Sequence, residues 1–109
     1  MRGIERLYSS KNTTLKKSVN LEDNLYEELK KLTETKYDAS ISELVNVILE
    51  DYISKDEVFY HGKAQGISET YRSMMFRKEN LDGLSKLNKK HSISFTRLVN
   101  GAIKEFLKK

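Results

Sequence analysis

The chain has no cysteine and no proline. Without cysteine, disulfides and thiolate metal sites are excluded, which suits a reducing cytoplasm as the working compartment. Without proline, no helix is interrupted from within, which suits a mostly helical chain. No apolar run approaches the ~18 residues a membrane span needs. Arg2 and Arg6 are followed by no apolar core segment, so no secretory signal is expected. A glycine-rich phosphate loop, a nucleophile beside a base and a cluster of metal ligands are missing too. The sequence therefore predicts no enzyme, no cofactor, no metal site, no membrane contact and no small-molecule ligand. His61 lacks nearby ligand partners, and His91 reads as a turn residue.

What is present is an uneven distribution of charge. At 109 residues the chain fits one compact domain, or two small halves that share a core. Its net charge of +4 conceals a basic segment at each end and an acidic middle over residues 21–60. The basic ends read either as a phosphate-binding surface or as an ordinary solvated one.

Residues 1–14 lack periodicity and read as a flexible basic arm. From Leu15 to Leu21 the chain alternates, with Lys16, Ser18 and Asn20 on one side and Val19 and Leu21 on the other, as a short strand does. Glu22, Asp23 and Asn24 supply acidic and capping side chains for a first helix carrying Leu25, Leu29 and Leu32. That helix should end near Lys36 and Tyr37, with a turn at Asp38-Ala39-Ser40. Ser42 is the expected N-cap of a second helix, striped by Leu44, Val45, Ile48, Leu49, Tyr52 and Ile53. The stripe is expected to run on through Phe59 and Tyr60 to a stop at Gly62. Residues 61–70 read as a linker.

The pattern then recurs over residues 71–109. Met74-Met75-Phe76 marks a strand, Leu81, Leu84 and Leu87 a helix, and His91-Ser92 a turn. Thr96 is the expected cap of a last helix bearing Leu98, Val99, Ala102, Ile103, Phe106 and Leu107. With an offset of 54, Ser42 falls on Thr96, Leu44 on Leu98, Asn46 on Asn100 and Tyr52 on Phe106. With an offset of 55, Leu21 falls on Phe76, Leu29 on Leu84 and Leu32 on Leu87. The one-residue change falls in the interhelical turn, where length is free to vary. Gly101, beside Ala102, would let the two second helices cross closely. Asn46 and Asn100 read either as hydrogen-bonding near the axis relating the halves or as exposed polar positions.

The first half, SVNLEDNLYEELKKL with SISELVNVILEDYI, resembles the Arc/MetJ/CopG ribbon-helix-helix family over about Lys16–Ile53, most specifically at Ser-Ile-Ser-Glu-Leu-Val. The second half resembles it more weakly over about Tyr71–Leu107, and the tandem form is similar to conjugation accessory proteins of the TraY type. The fold this implies is mainly α with a short β-ribbon: two ribbon-helix-helix repeats, 15–60 and 71–109, forming an intramolecular pseudo-dimer. Physics favours the same arrangement. One strand and two short helices leave ladder groups and apolar faces uncovered, and two such units close a shared core.

The resemblance implies a ribbon that enters the major groove of double-stranded DNA and reads base edges. Matched by position, the base-reading residues are Lys16, Ser18 and Asn20 on the first strand. On the second they are Tyr71, Ser73 and Met75, in the register that keeps Met74 and Phe76 inward. A one-residue slip would instead expose Phe76. The alternative for this face is a plain solvated strand. Lys17 and Arg72 break the inward pattern; their stems are expected to fold over the ribbon edge, or Arg72 to reach a phosphate. The amino ends of the second helices are the expected phosphate clamps, through Ser40, Ser42, Ser94 and Thr96, with Lys89, Lys90 and Arg97 nearby. About six neutralised phosphates would give a salt slope near −5.

The expected function is sequence-specific DNA binding, as a transcriptional repressor or as an accessory protein of plasmid transfer or maintenance at an origin. Whole chains are expected to associate further on DNA. A protein-interaction module or antitoxin, holding a partner through Asp51–Glu57 or the arm, is the alternative of a different class, and a purely structural helical protein the last one. Only Lys108-Lys109 follow the second repeat, which speaks against a long partner-binding tail.

Overall fold

The alternating segment forms strand β1 over Thr14–Glu22 in the computed structural model, which describes residues 13–36, 40–55, 58 and 66–108. The strand runs without a loop into α1, Asp23–Thr35, and α2 follows over Ile41–Lys55. The same order then recurs as β2, Glu69–Arg77, α3, Lys78–His91, and α4, Phe95–Leu107. Among the described residues the protein is mainly helical, with four helices and one two-stranded antiparallel sheet.

The two strands come from the two halves of the chain and pair in register about Ser18 and Ser73. Lys16 stands opposite Met75, and Asn20 opposite Tyr71. Val19, Leu21, Met74 and Phe76 are buried beneath the ribbon, so the slipped register is excluded by Phe76, whose side chain is fully enclosed. These residues join Leu25, Leu29, Leu44, Val45, Ile48, Leu49, Leu84, Leu87, Leu98, Val99, Ala102 and Ile103 in one continuous core. Neither half has a separate core, as expected of units too small to bury both their apolar faces alone.

Several boundaries differ from the sequence expectation. β2 begins at Glu69, inside the expected linker, just after Gly66 turns the chain at φ +76°. Ser40 and Ser94, rather than Ser42 and Thr96, are the helix caps. Ser40 Oγ accepts from the Glu43 N–H at 3.1 Å, and Ser94 Oγ from the Arg97 N–H at 3.3 Å. A Ser-x-Ser or Ser-x-Thr run offers two hydroxyls, and the apolar stripe then admits the earlier one because Ile41 and Phe95 pack on the core from within the helix. Glu22 has the backbone position of an N-cap but caps nothing with its side chain, which is buried. Thr14, the last residue of the expected arm over 1–14, opens β1. Residues 1–12 of that arm, Tyr37-Asp38-Ala39, the stripe end at Phe59 and Tyr60, and residues 61–65 of the expected linker over 61–70, Gly62 among them, lie outside the described residues.

Asn46 and Asn100 are buried and do not meet each other. Each clamps the strand of the other half. Asn100 Oδ1 accepts from the Glu22 N–H at 3.0 Å, and its Nδ2 donates to the Asn20 carbonyl at 2.8 Å. Asn46 Oδ1 accepts from the Arg77 N–H at 2.9 Å, and its Nδ2 donates to the Met75 carbonyl at 2.9 Å. Both amides also return a bond to their own helix, to Thr96 and Ser42. Every partner in one set lies at the repeat offset from its counterpart in the other. Replacing Asn100 by Ala strands a buried donor and a buried acceptor, so a loss of about 2–4 kcal/mol is expected in urea unfolding. Gly101 and Ala102 are buried in α4, which packs against α2. A Cβ on Gly83 of α3 would stand 2.8 Å from Ile53 Cγ2 of α2.

Candidate nucleic-acid interface

Because side chains alternate along a strand, pairing β1 with β2 about the two serines brings Lys16, Ser18, Asn20, Tyr71, Ser73 and Met75 onto one face. At its centre Ser18 Oγ and Ser73 Oγ lie 3.3 Å apart. Tyr71 is 70% exposed and Met75 42%, large apolar surfaces that nothing in the described chain covers. The two ends of the face are chemically unlike. One pairs an ammonium with a thioether, the other a carboxamide with a phenol.

Two arginines assigned to phosphate by sequence are held within the protein. The guanidinium of Arg72 stacks 3.6 Å from the Tyr26 ring centroid and lies 3.6 Å from Asp23 Oδ1. It is thus pinned over the ribbon edge, the first of the two fates expected of it. On the opposite edge Lys17 Nζ sits 5.0 Å from the Phe95 ring centroid, in the equivalent place. Asp23 also accepts hydrogen bonds from the hydroxyls of Ser68 and, at 2.6 Å, of Thr70. The Ser68 hydroxyl foremost, then Thr70, with Arg72 adding its charge, hold the Asp23 carboxyl below the ordinary value. A depressed carboxyl stabilises the fold above its unfolded value, and that contribution disappears as pH falls through the folded one.

Arg97 is the larger departure. Its side chain is 12% exposed, with its guanidinium between Glu69, on which Nη2 closes, and Glu22, 3.6 Å from Nη1. Lys104 Nζ approaches the same Glu22 carboxylate at 2.8 Å. Glu22 and Glu69 face each other directly across the ribbon. The two cations from α4 neutralise this acidic pair, and Arg97 is not available to DNA. Sequence reading missed the network because Glu22 looked like a helix cap. By alternation Glu22 shares the outward phase of Lys16, Ser18 and Asn20, so the sequence carried no sign that its side chain is enclosed where the strand runs straight into the helix.

The amino ends of α2 and α4 differ as anion sites. At α2, the Ser40 N–H donates to Glu43 Oε1 at 3.1 Å, so the helix end already holds a carboxylate. That backbone N–H foremost, with the Ser40 hydroxyl and the charge of Arg77, lowers the Glu43 carboxyl below its ordinary value. Ser42 lies within the first turn, and its Oγ accepts weakly from the Met75 N–H at 3.4 Å, tying the helix to the ribbon. A shallow groove lined by Ser40, Ser42, Tyr71 and Ser73 connects this helix end to the outward face. At α4 the first turn carries no acidic residue, and the last turn of α3 beside it carries Lys89, Lys90 and His91. Thr96, inside the helix, uses its carbonyl for Asn100. The amino end of α4 is therefore electrostatically the better seat for a phosphate.

Among the described residues no group of three or more potential metal ligands stands together, and no helix is long and apolar enough to cross a membrane. No family model, curated protein or solved structure matches the chain.

Proposed function

We propose that the protein binds double-stranded DNA in a sequence-specific manner, as a tandem ribbon-helix-helix chain whose two halves form a pseudo-symmetric pair. The β1–β2 ribbon lies in the major groove, and the protein acts by occupying its site rather than by catalysis. One observation carries the reading. A single two-stranded ribbon, built from both halves, turns a lysine, an asparagine, two serines, a tyrosine and a methionine outward from a buried apolar face. A ribbon of this width fits the major groove, where Lys16 donates to guanine, Asn20 pairs with adenine and Met75 meets a thymine methyl. Backbone amides at the start of α4, with Lys89 and Lys90, hold flanking phosphates. Because the ribbon's two ends differ, the preferred site is asymmetric rather than palindromic. Repression of transcription at such a site is the leading role; marking an origin of plasmid transfer uses the same contacts.

The test is a comparison of two variants on the preferred site, found by selection of bound genomic fragments. Asn20→Ala is expected to cost about 1–3 kcal/mol on that site and to relax the base preference at one position. Lys89→Ala with Lys90→Ala should weaken binding to all sequences alike. An Asn20→Ala protein with an unchanged base preference would remove base reading by β1.

A further inference from the structure

The inter-half ion pairs are reversed in sign between the two halves. At one end of the ribbon the strand residue is Glu22, and the helix residues it meets, Arg97 and Lys104 of α4, are cations. At the other end the strand residue is Arg77, which pairs with Glu50 of α2 at 2.9 Å and lies close enough to Glu43 to lower its carboxyl. These residues are repeat counterparts. Glu22 corresponds to Arg77 at the offset of 55, and Glu43 to Arg97 and Glu50 to Lys104 at the offset of 54. The corresponding positions thus carry opposite charges, enclosed around Glu22 and exposed around Glu50, while the neighbouring Asn46 and Asn100 make the same pair of strand bonds.

We propose that these charge-reversed positions are a pairing code, which makes the first half accept only a second half and bars like halves of two chains from pairing. The code follows from placing each set on a like partner. Two first halves would bring Glu22 of one against Glu43 and Glu50 of the other, three carboxylates with no cation, at both ends of the ribbon. Two second halves would bring Arg77 against Arg97 and Lys104, three cations relieved only by Glu69. In the register centred on Ser73, Glu69 would then stand opposite Arg77. Hydrophobic packing does not discriminate in this way, because the buried positions of the halves are apolar in both. Repulsion built against the wrong partner is a source of specificity, and a carboxylate as enclosed as that of Glu22 is costly without a cation beside it. The inference rests on the two-half architecture but not on DNA binding, so it survives if the chain binds no DNA.

Linkage of the halves already favours intrachain pairing, so the test removes it. A protease site is placed between Lys55 and Gly66, the folded full chain is cut, and the product is unfolded in urea, refolded and weighed by native mass spectrometry. The two fragments differ in mass, so every pair is identified. The unaltered sequence is expected to return only mixed pairs. The variant Glu43→Arg, Glu50→Lys, Arg77→Glu keeps opposite charges facing in every combination. It is expected to lose discrimination and give mixed pairs at the binomial share of about half. Should that variant not refold, Glu22→Gln, Glu43→Gln, Glu50→Gln, Arg77→Gln removes both the repulsion and the enclosed carboxylate from a pair of first halves, and such like pairs are expected to appear with it. Like pairs in the unaltered protein, or mixed pairs alone in both variants, would overturn the proposal and place the specificity in packing.

Discussion

Replacing Arg97 by Met is expected to destabilise the protein by about 3–5 kcal/mol, the usual consequence of removing one member of a buried ion network. The reason is the placement of its two partners. Glu22 and Glu69 are cross-strand neighbours, a pairing that is unfavourable for like charges even on an open sheet. Here Glu22 is wholly enclosed, and Arg97 spans the gap to both carboxylates. Methionine fills much of the space of the arginine stem but leaves Lys104 alone against two carboxylates. The midpoint of urea unfolding should fall while its slope stays constant, because the same surface is exposed on unfolding. Adding Glu69→Gln to Arg97→Met removes the second carboxylate and should recover part of the loss, a coupling that a double-mutant cycle measures. A loss below about 1 kcal/mol for Arg97→Met would mean that the network is solvated like a surface pair. On DNA the same substitution should leave the salt dependence of binding unchanged.

That expectation reverses the reading of Arg97 from sequence, and the reversal marks where sequence patterns stop being informative. Period-two alternation over Lys16–Leu21 and three-four spacing of leucines in each half fix the elements, because side-chain direction is a local property of strand and helix. The register of β2 was legible for the same reason, since only one phase buries Phe76. The outward face followed directly. Charged residues carry no such marker. Arg72 and Arg97 look like surface cations until Tyr26, Asp23, Glu22 and Glu69 are brought beside them by packing. The caps were displaced by two residues at both second helices because adjacent hydroxyls compete for one role, and the winner depends on whether Ile41 and Phe95 dock. The asparagines were found as a repeat-related pair. Their acceptors and donors were invisible because they belong to the backbone of the other half.

Binding to the preferred DNA site should weaken about 150-fold between about 50 and 200 mM salt. The figure assumes about four neutralised phosphates, for which the slope of log affinity on log salt is near −3.6. An assumed total of about six phosphates would give a slope near −5. Two of the cations expected at phosphates, Arg72 and Arg97, are tied to Asp23 and to the Glu22–Glu69 pair and release no counterions on binding. At the helix amino ends the basic residues belong to the second half, where Lys89 and Lys90 close α3 beside the acid-free start of α4. The corresponding end of α2 holds Glu43 instead, which a phosphate would have to displace. The slope should therefore fall by about one for each of Lys89→Ala and Lys90→Ala, and hardly at all for Arg72→Ala. Fluorescence anisotropy over a salt series, with the site and with unrelated duplex, measures all of these. A slope of −5 or steeper would mean that Arg2, Arg6 and Lys11 add phosphate contacts of their own, and deleting residues 1–12 should then return it to about −3.6. A flat response on both duplexes would remove the nucleic-acid reading, since a ribbon held in the major groove without phosphate contacts has nothing to fix its position on the helix.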